Sequence, residues 1–115
     1  KLHKQWVLGK GADGFCPMGP AIVTADEIAD VDALRLTTHV NGELRQDAHV
    51  GDLIFDIAVL IETISRYITL LPGDIIATGT PAGVGIGFDP PRFLGPGDTV
   101  TVAISGIGEL RNPID

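Results

Sequence analysis

The sequence is short of cysteine, basic residues and serine, and each shortage removes a class of chemistry. The single cysteine, Cys16, excludes an internal disulfide and any Cys-x-x-Cys metal pair, and fits a reducing, cytoplasmic compartment. Eight Lys and Arg stand against fifteen Asp and Glu, for a net charge of -7 and a pI of about 4.7. The eight are scattered, whereas neutralising phosphates needs clustered cations, so a nucleic-acid surface is excluded. Serine occurs only at Ser65 and Ser105, without a Gly-x-Ser-x-Gly elbow, which removes the serine-hydrolase triad. No uncharged apolar run approaches the roughly 20 residues of a membrane span. The longest apolar stretch, 53–71, is broken by Asp56, Glu62 and Arg66. Residues 1–10 carry only Trp6-Val7-Leu8 as an apolar centre, too little for a signal peptide, and no Met opens the chain. A fragment, a processed product or an excised domain would read this way.

What is present points to one soluble domain. Hydrophobic residues make up 44% of the chain and mean hydropathy is +0.28. A chain of this length is expected to bury roughly two thirds of the surface its unfolded form exposes. Residues 1–8 read as the end of a helix that Gly9 stops. Gly11-Ala12-Asp13-Gly14 and Pro17-Met18-Gly19-Pro20 read as irregular loop, 21–24 as a short strand, and the acidic stretch through Asp26-Glu27 and 30–32 as a solvated connector.

Leu34, Leu36, Thr38 and Val40 alternate with Arg35, Thr37 and His39, then Asn41-Gly42 leads into a second run, 43–49, which predicts a hairpin. A two-residue loop would mix apolar with charged side chains on one face. One extra loop residue, with Gly42 in the left-handed position of a bulge, would instead group Leu36, Val40, Leu44 and Ala48. From 56 to 69 the period changes: Ile57, Leu60, Ile61, Ile64 and Ile68 predict a helix with one buried stripe, and Glu62 with Arg66 an outer i,i+4 pair. Pro72-Gly73-Asp74 should end it and lead into a buried strand at 75–78. A glycine- and proline-rich loop follows over 79–97, and 99–104 and 109–114 read as two further strands. With strands outnumbering helices and no βαβα rhythm, the class is α+β, a mixed or rolled β fold.

The glycine-rich run 79–87 is neither a Walker loop nor a dinucleotide loop, because Phe88-Asp89-Pro90-Pro91 follows where a helix would have to begin. It is either a plain turn or a strand end whose backbone N–H groups, with the Thr80 hydroxyl, bind a carboxylate or phosphate. Lys10, flanked by Gly9 and Gly11, is either an exposed surface lysine or a cation that a ligand can approach closely. His3, His39 and His49 have no metal-ligand partner at local spacing. Cys16 reads as structural, and the acidity of the chain means that an anionic ligand needs a local cation or a bound metal.

The order Gly9-Lys10, Asp13-Gly14-Phe15, Pro17-Met18-Gly19-Pro20, Val40-Asn41-Gly42-Glu43-Leu44-Arg45-Gln46-Asp47 and Gly73-Asp74-Ile75-Ile76-Ala77-Thr78-Gly79-Thr80-Pro81-Ala82-Gly83-Val84-Gly85 is informative as a set. Closed by Pro96-Gly97-Asp98 and Gly108-Glu109-Leu110-Arg111-Asn112-Pro113, it resembles the C-terminal half of the fumarylacetoacetate hydrolase family over nearly the whole chain. The resemblance implies a mixed β-roll, with residues 1–115 forming the C-terminal part of a single catalytic domain. It implies a metal-dependent hydrolase, isomerase or decarboxylase of small 2-oxo or β-diketo dienoic acids, as in aromatic catabolism, in a cytoplasmic homodimer with no nucleic-acid or membrane partner. Lys10 matches the family's lysine beside the metal, where an ammonium stabilises an enolate or oxyanion. Gly79 and Thr80 match the pair that binds the substrate carboxylate. The implied cofactor is Mg2+, or Ca2+ or Mn2+, whose ligands, a Glu-x-Glu pair and a later carboxylate, fall upstream of Lys1; no Glu-x-Glu and no metal ligand is assigned here. The sequence departs from the family at Gly11-Ala12, usually Ser-Phe, and at Ala48, His49, Val50 and Gly51, usually small hydroxyl residues. The alternatives are a non-catalytic fragment that retains only fold or subunit interface, and a small-anion-binding module without turnover.

Overall fold

The computed structural model describes residues 6–115. Four strands, β1 (Arg35–Val40), β2 (Glu43–His49), β3 (Thr99–Ile104) and β4 (Gly108–Pro113), form one antiparallel sheet in the order β2-β1-β3-β4. The helices are α1 (Trp6–Lys10) and α2 (Ile57–Ser65). This is the α+β class the sequence predicts, with a sheet that is open and not closed into a roll.

The β1–β2 turn is built by its two residues. Asn41 and Gly42 both have positive φ, 51° and 82°, the requirement of the type I′ hairpin turn that Asn-Gly favours. Val40 therefore pairs with Glu43, and His39 with Leu44. One step on, the register shifts: Thr38 pairs with Gln46, leaving Arg45 as the extra residue of a bulge, and Leu36 then pairs with Ala48. The extra residue that the sequence pattern demands thus exists, but within β2 and not in the loop. Leu44 consequently leaves the predicted face and is half exposed. The turn is tied to β3 by Asn41, whose Nδ2 donates to Asp98 Oδ1 at 2.8 Å and whose Oδ1 accepts the Thr99 N–H at 2.9 Å. At the other end of β1, Ser105 Oγ accepts the Arg35 N–H at 2.8 Å, a structural use of that hydroxyl.

Several expectations for the connections are corrected. α1 runs through Gly9 to Lys10, with the Gly11 N–H donating to Val7 O at 2.8 Å, so Gly9 does not stop it; the predicted helical residues 1–5 lie outside the described residues. The stretch 21–24 pairs with no strand, and a short 3-10 turn follows at Ala25–Glu27. α2 starts where predicted, because the Asp56 carboxylate caps it by accepting the Val59 N–H at 2.7 Å. It ends at Ser65, before the predicted 69, and Asp74 organises the following turn by accepting the Leu71 N–H at 2.7 Å. Ile57, Leu60 and Ile64 are half-buried, while Ile61 and Ile68 face outward. The Glu62–Arg66 pair forms as expected. Residues 75–78 form no strand, since none of the described strands shares a ladder with them, and Ile75 is exposed.

The core is thin. Val40, at 8% exposure, and Thr38, at 9%, are the buried residues among those described, both on the central strand β1. The accessible surface is 9408 Å² for 12.1 kDa, where a compact monomer of that mass exposes about 6,000 Å² and its unfolded chain about 17,500 Å². A little under half of the unfolded surface is buried, not the expected two thirds. The radius of gyration, 15.6 Å, is likewise above the roughly 13 Å of a compact chain of this length. Ile22, Ile54, Tyr67 and Phe93 project large apolar side chains outward.

With so little core, local caps carry weight. Asp56→Ala is expected to lower the stability of the full-length gene product by about 1 kcal/mol, read as a lower urea midpoint. An unchanged midpoint would mean that α2 does not depend on this cap.

Candidate functional site

The loop after α2 returns across the sheet and is pinned to β2. The Gln46 amide Nε2 donates to Thr80 Oγ1 at 2.8 Å and to the Pro81 carbonyl at 3.1 Å. Three residues on, a Cβ at Gly83 would stand 1.9 Å from the Arg45 carbonyl oxygen, and the φ of Gly83 is +102°. Only glycine admits this approach and this backbone. The bulged residue and its neighbour thus seat the loop on both sides of Ala82.

Two open hollows of about 540 Å³ each flank this contact, a volume within the range of small-molecule sites. One is walled by Thr78, Gly79, Thr80, His49, Asp52 and Phe55, among others. Gly79 and Thr80, predicted together from the sequence, therefore share a concave wall. Lys10 lies at the C-terminal end of α1, exposed, and lines neither hollow. His49 closes β2 at the rim of the Thr80 hollow, where Asp52 Oδ2 accepts its backbone N–H at 2.9 Å. His39 is half-buried within β1, and His3 lies outside the described residues. Cys16 is exposed.

The second hollow is walled by Arg45, Gln46, Gly83, Gly85, Arg92 and Val100, among others. The Arg45 and Arg92 guanidinium carbons stand 5.2 and 5.3 Å from the centre of the Phe88 ring. Arg92 grips Glu43 with two 2.7 Å bonds, and Arg45 reaches the same carboxylate at 3.5 Å. Arg45 is only 12% exposed, and its buried Nε has no hydrogen-bond partner; the ring face beneath the guanidinium is its nearest compensation. These arginines engage Glu43 and hold Phe88, and neither lines the Thr80 hollow.

The charged groups around the sheet are set by specific bonds. The Arg92 guanidinium, bonded to Glu43, holds that carboxyl below its ordinary 4.5, with desolvation working against it. Arg35, bonded to Asp47 through Nε at 2.7 Å, does the same across β1 and β2, below an ordinary 3.8. The Asn41 amide, followed by the Gly95 N–H, lowers Asp98. Among the described residues no group of three His, Cys, Asp or Glu is placed to hold a metal ion, so these residues do not by themselves fit a divalent cation. None of their helices is long and apolar enough to cross a membrane.

Sequence reasoning missed Gln46, Arg45, Phe88 and Arg92. The signal for the first two was the parity conflict in the hairpin, which required an extra residue somewhere between Val40 and Ala48. Little marks Phe88 and Arg92 in the sequence, because the partners that tie them to β2, Arg45 and Glu43, lie 43 and 49 positions away.

Comparisons with known proteins place the chain among relatives of one family. A family model described as fumarylacetoacetate (FAA) hydrolase C-terminal matches residues 1–115. The chain is 53% identical over 114 residues to oxaloacetate tautomerase YisK of Bacillus subtilis (strain 168), a match covering 99% of this chain and 38% of that protein. It superposes with a TM-score of 0.86 and 48% identity on fumarylacetoacetate hydrolase from psychrophilic Exiguobacterium antarcticum, over 90% of this chain and 37% of that one. A TM-score of 0.77 and 45% identity relate it to maleylpyruvate hydrolase from Sphingobium sp. SYK-6, solved in complex with manganese(II) and pyruvate, over 86% of this chain and 35% of that one. The chain thus spans less than two fifths of the length of each of these relatives.

Two outcomes follow from the geometry. Gly83→Ala is expected to cost about 3 kcal/mol and to unseat the loop. Calorimetry and amide exchange over 79–83 check it, and an unshifted melting temperature would contradict the close approach. The second concerns acid. Folded-state values below the ordinary ones mean that the contributions of Glu43, Asp47 and Asp98 are complete above about 4.5 and are lost as pH falls through the lowered values. The melting temperature should hold from neutral to about pH 5, then fall, less steeply in high salt because these groups are exposed. A curve flat to about pH 3 would refute these pairs.

Proposed function

This chain belongs to the fumarylacetoacetate hydrolase family, and we propose that the protein carrying it is a metal-dependent hydrolase, isomerase or decarboxylase of a small 2-oxo or β-diketo acid. The observation that carries the reading is the placement of Gly79 and Thr80 side by side in the wall of one hollow, at the end of a loop fixed by Gln46. A backbone N–H and a hydroxyl in that wall would bind a carboxylate without a formal charge.

The relatives support the substrate class. One is named for oxaloacetate and another for maleylpyruvate, the latter solved with pyruvate, and all three molecules share a 2-oxo carboxylate. On this reading the Thr80 O–H and the adjoining N–H groups hold the carboxylate, while Lys10 supplies the ammonium that steadies an enolate or oxyanion at the neighbouring carbonyl. Lys10 is assigned by its position in the Gly9-Lys10 motif. The divalent cation belongs to ligands expected upstream of Lys1, since the described residues do not compose its site, and no step is assigned to it. Residues 1–115 are accordingly read as the C-terminal part of one catalytic domain.

The test uses the full-length gene product with Mg2+ or Mn2+ and oxaloacetate or an acylpyruvate. Lys10→Ala is expected to lower kcat by about 100-fold or more, and Thr80→Val to raise KM by about 10-fold. Unchanged turnover in Lys10→Ala would refute its role. Binding of pyruvate without turnover of any such acid would replace the enzyme by an anion-binding module.

A further inference from the structure

The Gln46 amide does more than anchor a loop, and its bonding chemistry shows how. An amide oxygen and nitrogen differ in what they can offer, and here the Pro81 carbonyl settles which atom faces the loop. A carbonyl only accepts, so the group 3.1 Å from Pro81 O is the NH2, and the same NH2 stands 2.8 Å from Thr80 Oγ1. Both of its hydrogens are therefore used on consecutive residues of one loop. Thr80 Oγ1 receives one of them and is an acceptor in that bond. Its own hydrogen is then directed away from Gln46, available to an acceptor in the hollow that Thr80 lines.

The position of Gln46 depends in turn on the bulge. Thr38 pairs with Gln46 and His39 with Leu44, so Arg45 is the residue without a partner in β1. The Gly83 backbone closes on the carbonyl of that same residue, and a Cβ there would also come within 3.0 Å of Gln46 Cγ. Remove the extra residue, and the positions after Leu44 exchange faces, carrying the amide away from the loop.

We infer that Gln46 is a positioning residue that fixes the polarity of the Thr80 hydroxyl, making it a dedicated donor to the carboxylate of a 2-oxo acid. The inference rests on the reading of Thr80 given above. It adds a requirement that reading lacks: a hydroxyl is ambivalent, and only its partner decides whether it gives or receives.

Two near-isosteric substitutions in the full-length metal-loaded protein separate polarity from packing. Gln46→Glu keeps the shape but presents only acceptors, so Thr80 must turn its hydrogen inward and the carboxylate site loses its donor. KM for oxaloacetate or an acylpyruvate should rise at least about 10-fold, the loss expected for one hydrogen bond to a charged group, with a smaller change in kcat. Gln46→Met removes both bonds without reversing the hydroxyl, so its KM should lie between those of wild type and Gln46→Glu. In a Thr80→Val background, Gln46→Glu should add less than about 3-fold, since there is no hydroxyl left to turn. Melting temperatures of all variants report folding independently. Equal KM effects of Glu and Met at position 46, or additive effects with Thr80→Val, would overturn the inference. No effect of Thr80→Val on KM would instead overturn the carboxylate reading on which it stands.

Discussion

One extra residue in β2 organises this chain. A strand that has reversed through a two-residue turn is bound to a fixed pairing, and that pairing would set the residues after Leu44 on the wrong faces. The bulge at Arg45 breaks the parity once, and everything downstream follows from it. Leu36 and Ala48 come opposite each other, and Gln46 comes opposite Thr38 on the buried centre of the sheet. Arg45 turns inward at 12% exposure, onto the Phe88 ring. The carbonyl of the bulged residue becomes the floor on which Gly83 rests. The turn and the bulge are complementary: Asn41 and Gly42 supply the twist of the hairpin, and Arg45 supplies its register.

The contact matters more here than it would in a thicker domain. With Val40 and Thr38 the buried residues among those described, apolar burial does little to fix the loops over the sheet. Their conformation rests on hydrogen bonds that each specify one geometry: Asn41 to Asp98 and Thr99, Asp74 to the Leu71 amide, and Gln46 to Thr80 and Pro81. Bonds of this kind are individually worth about 0.5 to 1.5 kcal/mol, so their role is to choose a conformation and not to hold the chain together.

The sequence made local features legible and distant ones obscure. β3 was readable residue by residue, because Thr99–Ile104 alternates and is bounded by turn residues. α2 was readable at its start, where Asp56 is a capping residue ahead of a 3.6 period, and unreadable at its end, where the apolar spacing persists past Ser65 without a cap to stop it. Residues 75–78 have the composition of a strand, but a strand exists only when a neighbour accepts its hydrogen bonds, and composition cannot supply one. The site divides in the same way. Gly79 and Thr80 are candidates because they lie in a contiguous motif, while Gln46 stands 34 positions before Thr80 and its bond to that residue is visible only through the pairing of β1 with β2. Even there the sequence held a trace, since the parity conflict required a bulge and only its location was open.

Electrostatics gives the last reason why a neutral amide holds this position. The chain carries a net charge of -7, which opposes an anionic ligand at a distance, although ionic screening confines that opposition to roughly 8 Å at physiological salt. At contact, recognition depends on the groups in the wall. Arg45 and Arg92 are engaged with Glu43 and Phe88, in the adjoining hollow. On the proposed reading, a carboxylate at Gly79 and Thr80 would meet neutral donors there, whose strength depends on direction far more than that of an ammonium, which presents hydrogens on three sides. A donor that works by direction has to be aimed. Gln46, held by the pairing that the bulge creates, is the group in contact with Thr80 that can aim it.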